Sequence, residues 1–317
     1  MNTQEILDKL VSWAGTPLAE WPRRYPEHKA VGYLCSYVPE EIIHSAGWTP
    51  VRVRGTSAPL RRVDAHLQSF SCALCRSSLD QALGGEMDFM QGVVLAHTCD
   101  TMQAMADLWQ INLGARHFVE TIMQPGNLSA PAARPYLVAE MQRLRQQLTA
   151  QAQAAISDDD LSASIALYDE TRRLVQEFQG LRDHLSPPEF YAVLDAAQKA
   201  PREQFNPLFR QLLEGLEERP VRAAGPRLFL VGAVLDESRL LDLIAGLGAQ
   251  VAGDDLCSGS RHFYGQVGAG GNPIEALVDY YLQRPPCPSK YHPQHDPGRD
   301  LLDQVRQAQA EGVVFVI

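Results

Sequence analysis

The chain has 317 residues, 45% of them apolar and 21% charged, and its 28 basic and 38 acidic side chains give a formal charge of −10. That is an ordinary globular balance, long enough for two domains, and the acidic surplus argues against a general nucleic-acid or membrane-surface binder. No run approaches the roughly 20 apolar residues of a membrane span, and Met1-Asn-Thr-Gln-Glu-Ile lacks the basic-then-apolar opening of a secretory signal.

A cytoplasmic location is therefore expected. In that reducing setting the six cysteines read as thiols or metal ligands rather than disulfides, with burial as small hydrophobes the plain alternative for any one of them.

In chain order, Ile6, Leu7, Leu10 and Val11 predict a helix over 1–13, followed by a Pro-rich connector over 17–26. Residues 30–35 read as a strand. Pro39-Glu-Glu-Ile-Ile-His-Ser-Ala-Gly reads as a helix with Pro at its start and Gly at its end, and 50–54 as a second strand. Helix is predicted over 77–84, strand over 93–96, helix from Asp100 and strand over 117–123. Alternating strands and helices predict a mostly parallel sheet.

The middle of the chain reads as helical. Pro135 opens one helix with Leu137, Met141, Leu144 and Leu148 on one face. Ser157 caps another, striped by Leu174, Phe178, Leu181 and Leu185, and Pro187 and Pro201 mark two shorter helices ending near 218. The α/β pattern then returns: strand over 228–232, helix over 238–247, strand over 250–253, helix over 299–311 and a buried-type apolar strand over 312–317.

The fold expected is thus α/β, with two Rossmann-like parallel-sheet domains at 1–134 and 225–317 and a helical connecting segment at 135–224. Because the last apolar strand stops without a turn residue, the C-terminal domain is expected to be truncated.

Three cysteine positions stand where an apolar run breaks into a turn: Cys72 or its neighbour Cys75, Cys99 and Cys257. Thiolates beyond the carboxyl ends of strands point into the crevice where open α/β sheets bind ligands, and helix N-termini favour the thiolate form. Cys72-x-x-Cys75 alone fits a redox pair, half a zinc site or a helix start, and no second close pair completes a zinc ribbon. His97 reads as a ligand or as a polar loop residue. Asp254 and Asp255 read foremost as turn-capping groups, with Arg261 pairing them or binding a phosphate. Gly265-Gln-Val-Gly-Ala-Gly-Gly lacks both the preceding strand and the GK[ST] ending of a phosphate loop.

Together these segments resemble the 2-hydroxyacyl-CoA dehydratase and benzoyl-CoA reductase family, also called the 2-hydroxyglutaryl-CoA dehydratase D-component family. The resemblance is carried in order by Gly32-Tyr-Leu-Cys-Ser-Tyr-Val-Pro-Glu-Glu, Cys72-Ala-Leu-Cys-Arg-Ser-Ser-Leu-Asp, Gly92-Val-Val-Leu-Ala-His-Thr-Cys-Asp, Asp254-Asp-Leu-Cys-Ser-Gly-Ser-Arg and Pro286-Cys-Pro. It implies one [4Fe–4S] cluster per subunit on Cys72, Cys99 and Cys257, with Cys75 as the alternate ligand. Ser36 is implied as the residue touching substrate or cluster, or else as a helix cap before Pro39, and Cys287 is implied to be structural.

The resemblance further implies an ATP-hydrolysing iron–sulfur activator, a homologous second subunit (or a homodimer) and an acyl-CoA substrate that is dehydrated or reduced. Two rivals stand beside it: a related reductase of small molecules without CoA, and a non-catalytic scaffold subunit that stabilises a cluster-bearing partner.

Overall fold

The computed structural model describes residues 1–222, 225–235 and 239–316. The expected helix start at Ser238, the last strand residue Ile317 and the expected segment boundary at 224 lie outside the described residues. The chain is α/β with two parallel sheets, and it divides into two units, each built from separate stretches of sequence.

The first unit comprises Pro17–Ala166 and Val267–Pro293. Its sheet contains β1 (Ala30–Leu34), β2 (Thr49–Arg52), β3 (Gly92–His97) and β4 (Phe118–Met123) in the order β2-β1-β3-β4, all parallel. Every residue of β1 and β2 is buried, as both-face coverage of a parallel sheet requires. Gly32 in β1 allows close packing: a Cβ there would stand 2.8 Å from Met90 Sδ.

On one face of this sheet Val31, Tyr33, Val94 and Ile122 share a core with Leu137, Met141, Leu144 and Leu148, and with Ile274, Leu277 and Val278. The last two groups come from α6 (Ala133–Ala152) and α11 (Pro273–Gln283). The unit also holds α2 (Trp21–Arg24), α3 (Glu40–Ser45), α4 (Ala73–Leu83) and α5 (Asp100–Leu113). Helix α4 starts four residues before the expected 77. Cys72 is its N-cap, and its first half buries Cys75, Ser77 and Ser78, a face the apolar pattern does not mark. Helix α11 has no counterpart among the expected elements. Its start is fixed by Asn272, whose side chain accepts from the amides of Ile274 and Glu275, with Pro273 in the first turn.

Helix α7 (Asp158–Gly180) passes from this unit into the second, which comprises Met1–Thr16, Leu167–Gln266 and Gln294–Ile317. There β5 (Arg227–Gly232), β6 (Gln250–Asp255) and β7 (Gly312–Val316) form a parallel sheet in the order β6-β5-β7. Helices α1 (Thr3–Ala14), α8 (Pro187–Lys199) and α9 (Arg202–Leu216) pack together, and α10 (Arg239–Gly246) and α12 (Pro297–Gln307) complete the unit. Phe178, Phe190, Phe205 and Phe209 form its aromatic centre, with Phe178 stacked on Phe190 at 4.5 Å.

The last strand differs from the buried type expected. In β7, Val313 is 41% and Phe315 64% exposed: alternate side chains lie on opposite faces of the strand, and the face that carries these two is not covered among the described residues.

Candidate functional site

In the first unit β1 runs to β2 on one side and the chain returns through β3 to β4 on the other, so the strand order reverses between β1 and β3. In open α/β sheets the crevice at that reversal, beyond the carboxyl ends of the strands, is where ligands bind. Cys35 and Ser36 follow β1 there, and Thr98 and Cys99 follow β3. Cys35 Sγ and Thr98 Oγ1 lie 3.5 Å apart across the reversal. Cys35 has φ +82°, a left-handed conformation that costs a non-glycine residue of order 1 kcal/mol or more.

Two helices begin at this edge, and both have a cysteine as N-cap: Cys72 for α4 and Cys99 for α5. Both are exposed, whereas Cys75 in the first turn of α4 is fully buried and its thiol lies 3.4 Å from Met102 Sδ. A hydrogen bond to Cys72 and burial push the Cys75 thiol far up, with smaller contributions from the sulfurs of Cys72, Cys99 and Cys35. The structure thus groups Cys72, Cys75, Cys99 and Cys35 in one unit.

Ser36 is 3% exposed and does not cap a helix, since Pro39 is the N-cap of α3. Its Oγ accepts from Arg52 Nη1 at 3.3 Å and its carbonyl from Arg284 Nη1 at 2.8 Å. The Arg284 guanidinium also lies over the rings of Tyr37, Tyr280 and Tyr281. Cys287 donates its amide to Tyr37 Oη, and Lys290 Nζ donates to Gln124 O at 3.2 Å, just beyond β4. Burial pushes the Lys290 ammonium down, against the opposing pull of the Cys287, Cys35 and Cys99 sulfurs. Nothing in Pro286-Cys-Pro-Ser-Lys marks Lys290 in the sequence; the fold brings it to this edge.

Cys257 belongs to the second unit, in the turn beyond the carboxyl end of β6. Asp254 organises that turn: its Oδ1 accepts from the amides of Ser260 at 2.8 Å and Leu256 at 3.3 Å, the capping role expected of it. Arg261 pairs with Asp255, as the acids beside it suggest, and Arg261 Nη1 also donates to Cys257 Sγ at 3.1 Å, which the sequence does not suggest. His97 ends β3 with Nε2 buried. The glycine-rich stretch is a loop, with Gly265, Gly268, Gly270 and Gly271 all at positive φ.

Among the described residues no three His, Cys, Asp or Glu side chains stand in a ready ligating array. The donors at these junctions are sulfur, two of them at helix N-termini and one hydrogen-bonded to a guanidinium. That chemistry fits a soft, thiolate-held iron–sulfur group and does not fit a hard cation, which takes oxygen ligands.

Two parallel sheets with cysteines beyond the carboxyl ends of their strands define an α/β protein whose strand ends carry thiols. The chain belongs to the 2-hydroxyglutaryl-CoA dehydratase, D-component family, whose profile matches residues 35–317. It is 29% identical to one of the subunits of benzoyl-CoA reductase from Thauera aromatica, over 95% of this chain and 80% of that protein. It is 24% identical to the (R)-phenyllactyl-CoA dehydratase beta subunit of Clostridium sporogenes, over 90% of this chain and 78% of that protein. Identity to the lactoyl-CoA dehydratase subunit beta of Anaerotignum propionicum is 26%, over 91% and 78%. Each of these relatives is named as a subunit of a larger enzyme. Among the described residues no helix is long and apolar enough to cross a membrane.

Proposed function

We propose that this chain is the iron–sulfur subunit of an ATP-activated, radical-type 2-hydroxyacyl-CoA dehydratase or benzoyl-CoA-type reductase. Family membership over residues 35–317 carries the reading, and the cysteines beyond β3 and β6 and at the starts of α4 and α5 support it. Cys72, Cys99 and Cys257 would hold a [4Fe–4S] cluster. Bound there, such a cluster would supply low-potential electron-transfer chemistry for an acyl-CoA. The chain would work with a homologous second subunit, or as a homodimer, and with an ATP-hydrolysing iron–sulfur activator.

The chain's own residues would exclude water and set orientation. The buried Arg52 and Arg284 fix Ser36 at the end of β1 through its hydroxyl and its carbonyl, and Ser36 is the residue we place against substrate. Cations buried around a carbonyl-binding edge stabilise negative charge that develops there, more strongly than they would in water.

The deciding experiment is iron and acid-labile sulfide per chain after anaerobic purification, for the unaltered protein and for Cys99→Ser. About four of each, lost in the variant, supports a cubane cluster. A folded, reconstituted protein with neither iron nor sulfide would rule the reading out and leave a scaffold subunit.

A further inference from the structure

The turn that carries Cys257 folds back on itself. Gly259 and Arg261 both donate their amides to Leu256 O, at 3.0 and 3.2 Å, and Cys257 donates its own to Ala233 O at 2.6 Å. This returns the Arg261 side chain to the end of β6, where it is 9% exposed. Its guanidinium is then held along one edge. Nε donates to Asp255 Oδ1 at 2.8 Å, and Nη2 reaches Asp255 Oδ2 at 2.6 Å and Asp255 O at 3.0 Å. A planar fork gripped at Nε and Nη2 has no rotational freedom left, so the direction of Nη1 is set by the other contacts. Nη1 points at Cys257 Sγ, 3.1 Å away.

We infer that Arg261, clamped by Asp255, is a positioning residue for Cys257: it donates an N–H···S hydrogen bond that orients the thiolate ligand and tunes the cluster it holds. The inference rests on the reading of Cys257 as a cluster ligand. Asp255 neutralises most of the guanidinium charge, so what reaches the sulfur is a directed hydrogen bond more than a bare positive charge. A donor on a ligand sulfur draws electron density from it and favours the reduced cluster, which carries one more negative charge. Removing the donor therefore lowers the midpoint potential. The ionic clamp alone would hold the turn without any contact to sulfur, so a structural role and a tuning role separate in the potential.

The test uses the full-length protein, purified anaerobically, as the unaltered chain and as Cys257→Ser, Arg261→Met, Arg261→Lys and Asp255→Asn. Iron per chain, the electron paramagnetic resonance spectrum of the reduced state and the midpoint potential are read for each, with thermal unfolding as the check on folding. The expected result is that Cys257→Ser loses iron, while Arg261→Met keeps it with a more negative potential and a changed spectrum. Arg261→Lys, which keeps a charge beside Asp255 but not the clamped donor, shifts the same way by less, whereas Asp255→Asn, which removes an anion, shifts to a less negative potential. If Arg261→Met retains iron at an unchanged potential, the inference is overturned and Arg261 only shapes the turn. Should Arg261→Met lose iron or unfold, Arg261→Lys decides, and an unchanged potential there overturns the inference equally. A Cys257→Ser variant that keeps its iron removes the ligand assignment itself, which is a distinct failure.

Discussion

Arg182 Nη2 lies 2.6 Å from Asp254 Oδ2, with the Asp254 side chain wholly buried and that of Arg182 7% exposed. Tyr191 Oη donates to the same oxygen at 2.9 Å, and the Phe190 ring lies 3.9 Å beneath the guanidinium. The other carboxylate oxygen holds the turn that presents Cys257. One side chain thus ties a helical segment to a candidate ligand loop. Breaking a buried pair strands the surviving charge, so Asp254→Asn and Arg182→Met are each expected to lose about 3–5 kcal/mol of stability in urea unfolding. Combining Asp254→Asn, which keeps an acceptor for the turn amides, with Arg182→Met should cost clearly less than the sum of the two single losses; strict additivity would show that the charges are not the cause.

The same carboxylate gives an acid dependence of definite sign. Burial on its own would raise the Asp254 carboxyl, but Arg182, the Ser260 amide and the Tyr191 hydroxyl outweigh it and hold the group below the usual carboxylate range. Its contribution is then complete above the unfolded value of about 3.9 and is lost as pH falls through the lower folded value. Comparing unfolding of the unaltered chain and Asp254→Asn from neutral pH downward, the gap between them should stay constant to about pH 5 and close below pH 4. A gap that held steady down to pH 2 would contradict the assignment.

Asp80 does a related task in the first unit. Its Oδ1 accepts the amides of Arg61, Arg62 and Val63 at 2.8, 2.6 and 3.0 Å, fixing the loop between β2 and α4. Burial works against ionisation, but the three amides and the Arg62 charge prevail and lower the carboxyl. Asp80→Ala leaves three donors without their acceptor and should destabilise by about 2–3 kcal/mol, whereas Asp80→Asn, which keeps an acceptor oxygen, should lose less. Limited proteolysis provides a local readout: cleavage within 56–65 should appear in Asp80→Ala before the rest of the chain opens.

Much of this architecture is legible because apolar runs such as 30–34 and 92–96 are buried on both faces, the pattern that covered parallel strands leave in a sequence. Helix α11 is hidden behind the glycines of 265–271, which read as loop, although Asn272-Pro273 with Glu275 is a sufficient start signal. That cap is measurable: Asn272→Ala should cost about 1 kcal/mol, because two amides lose their acceptor. The apolar run at 312–316 misleads in the opposite direction, since composition does not tell whether both faces of a strand are covered, and Phe315 faces outward. At the site, the cysteines are visible as breaks after strands. Contacts between residues distant in sequence, such as Lys290 with Gln124, have no signature along the chain. Arg261 is within reach, four residues from Cys257, but its bond to sulfur depends on how the turn folds back.

Burial favours Cys72 over Cys75 as the ligand. Cys72 caps α4 in the open, where the helix N-terminus favours a thiolate. Cys75 is fully buried against Met102, and both its hydrogen bond to Cys72 and its burial oppose ionisation. Turning it outward would require the first turn of α4 to unwind. Cys72→Ser is therefore expected to lose iron on anaerobic reconstitution while Cys75→Ser retains about four per chain. In the metal-free folded protein, iodoacetamide should label Cys72 and Cys99 well before Cys75, as peptide mass spectrometry will show. Iron retained by Cys72→Ser and lost by Cys75→Ser would transfer the ligand role to the buried thiol and demand that movement of the helix start.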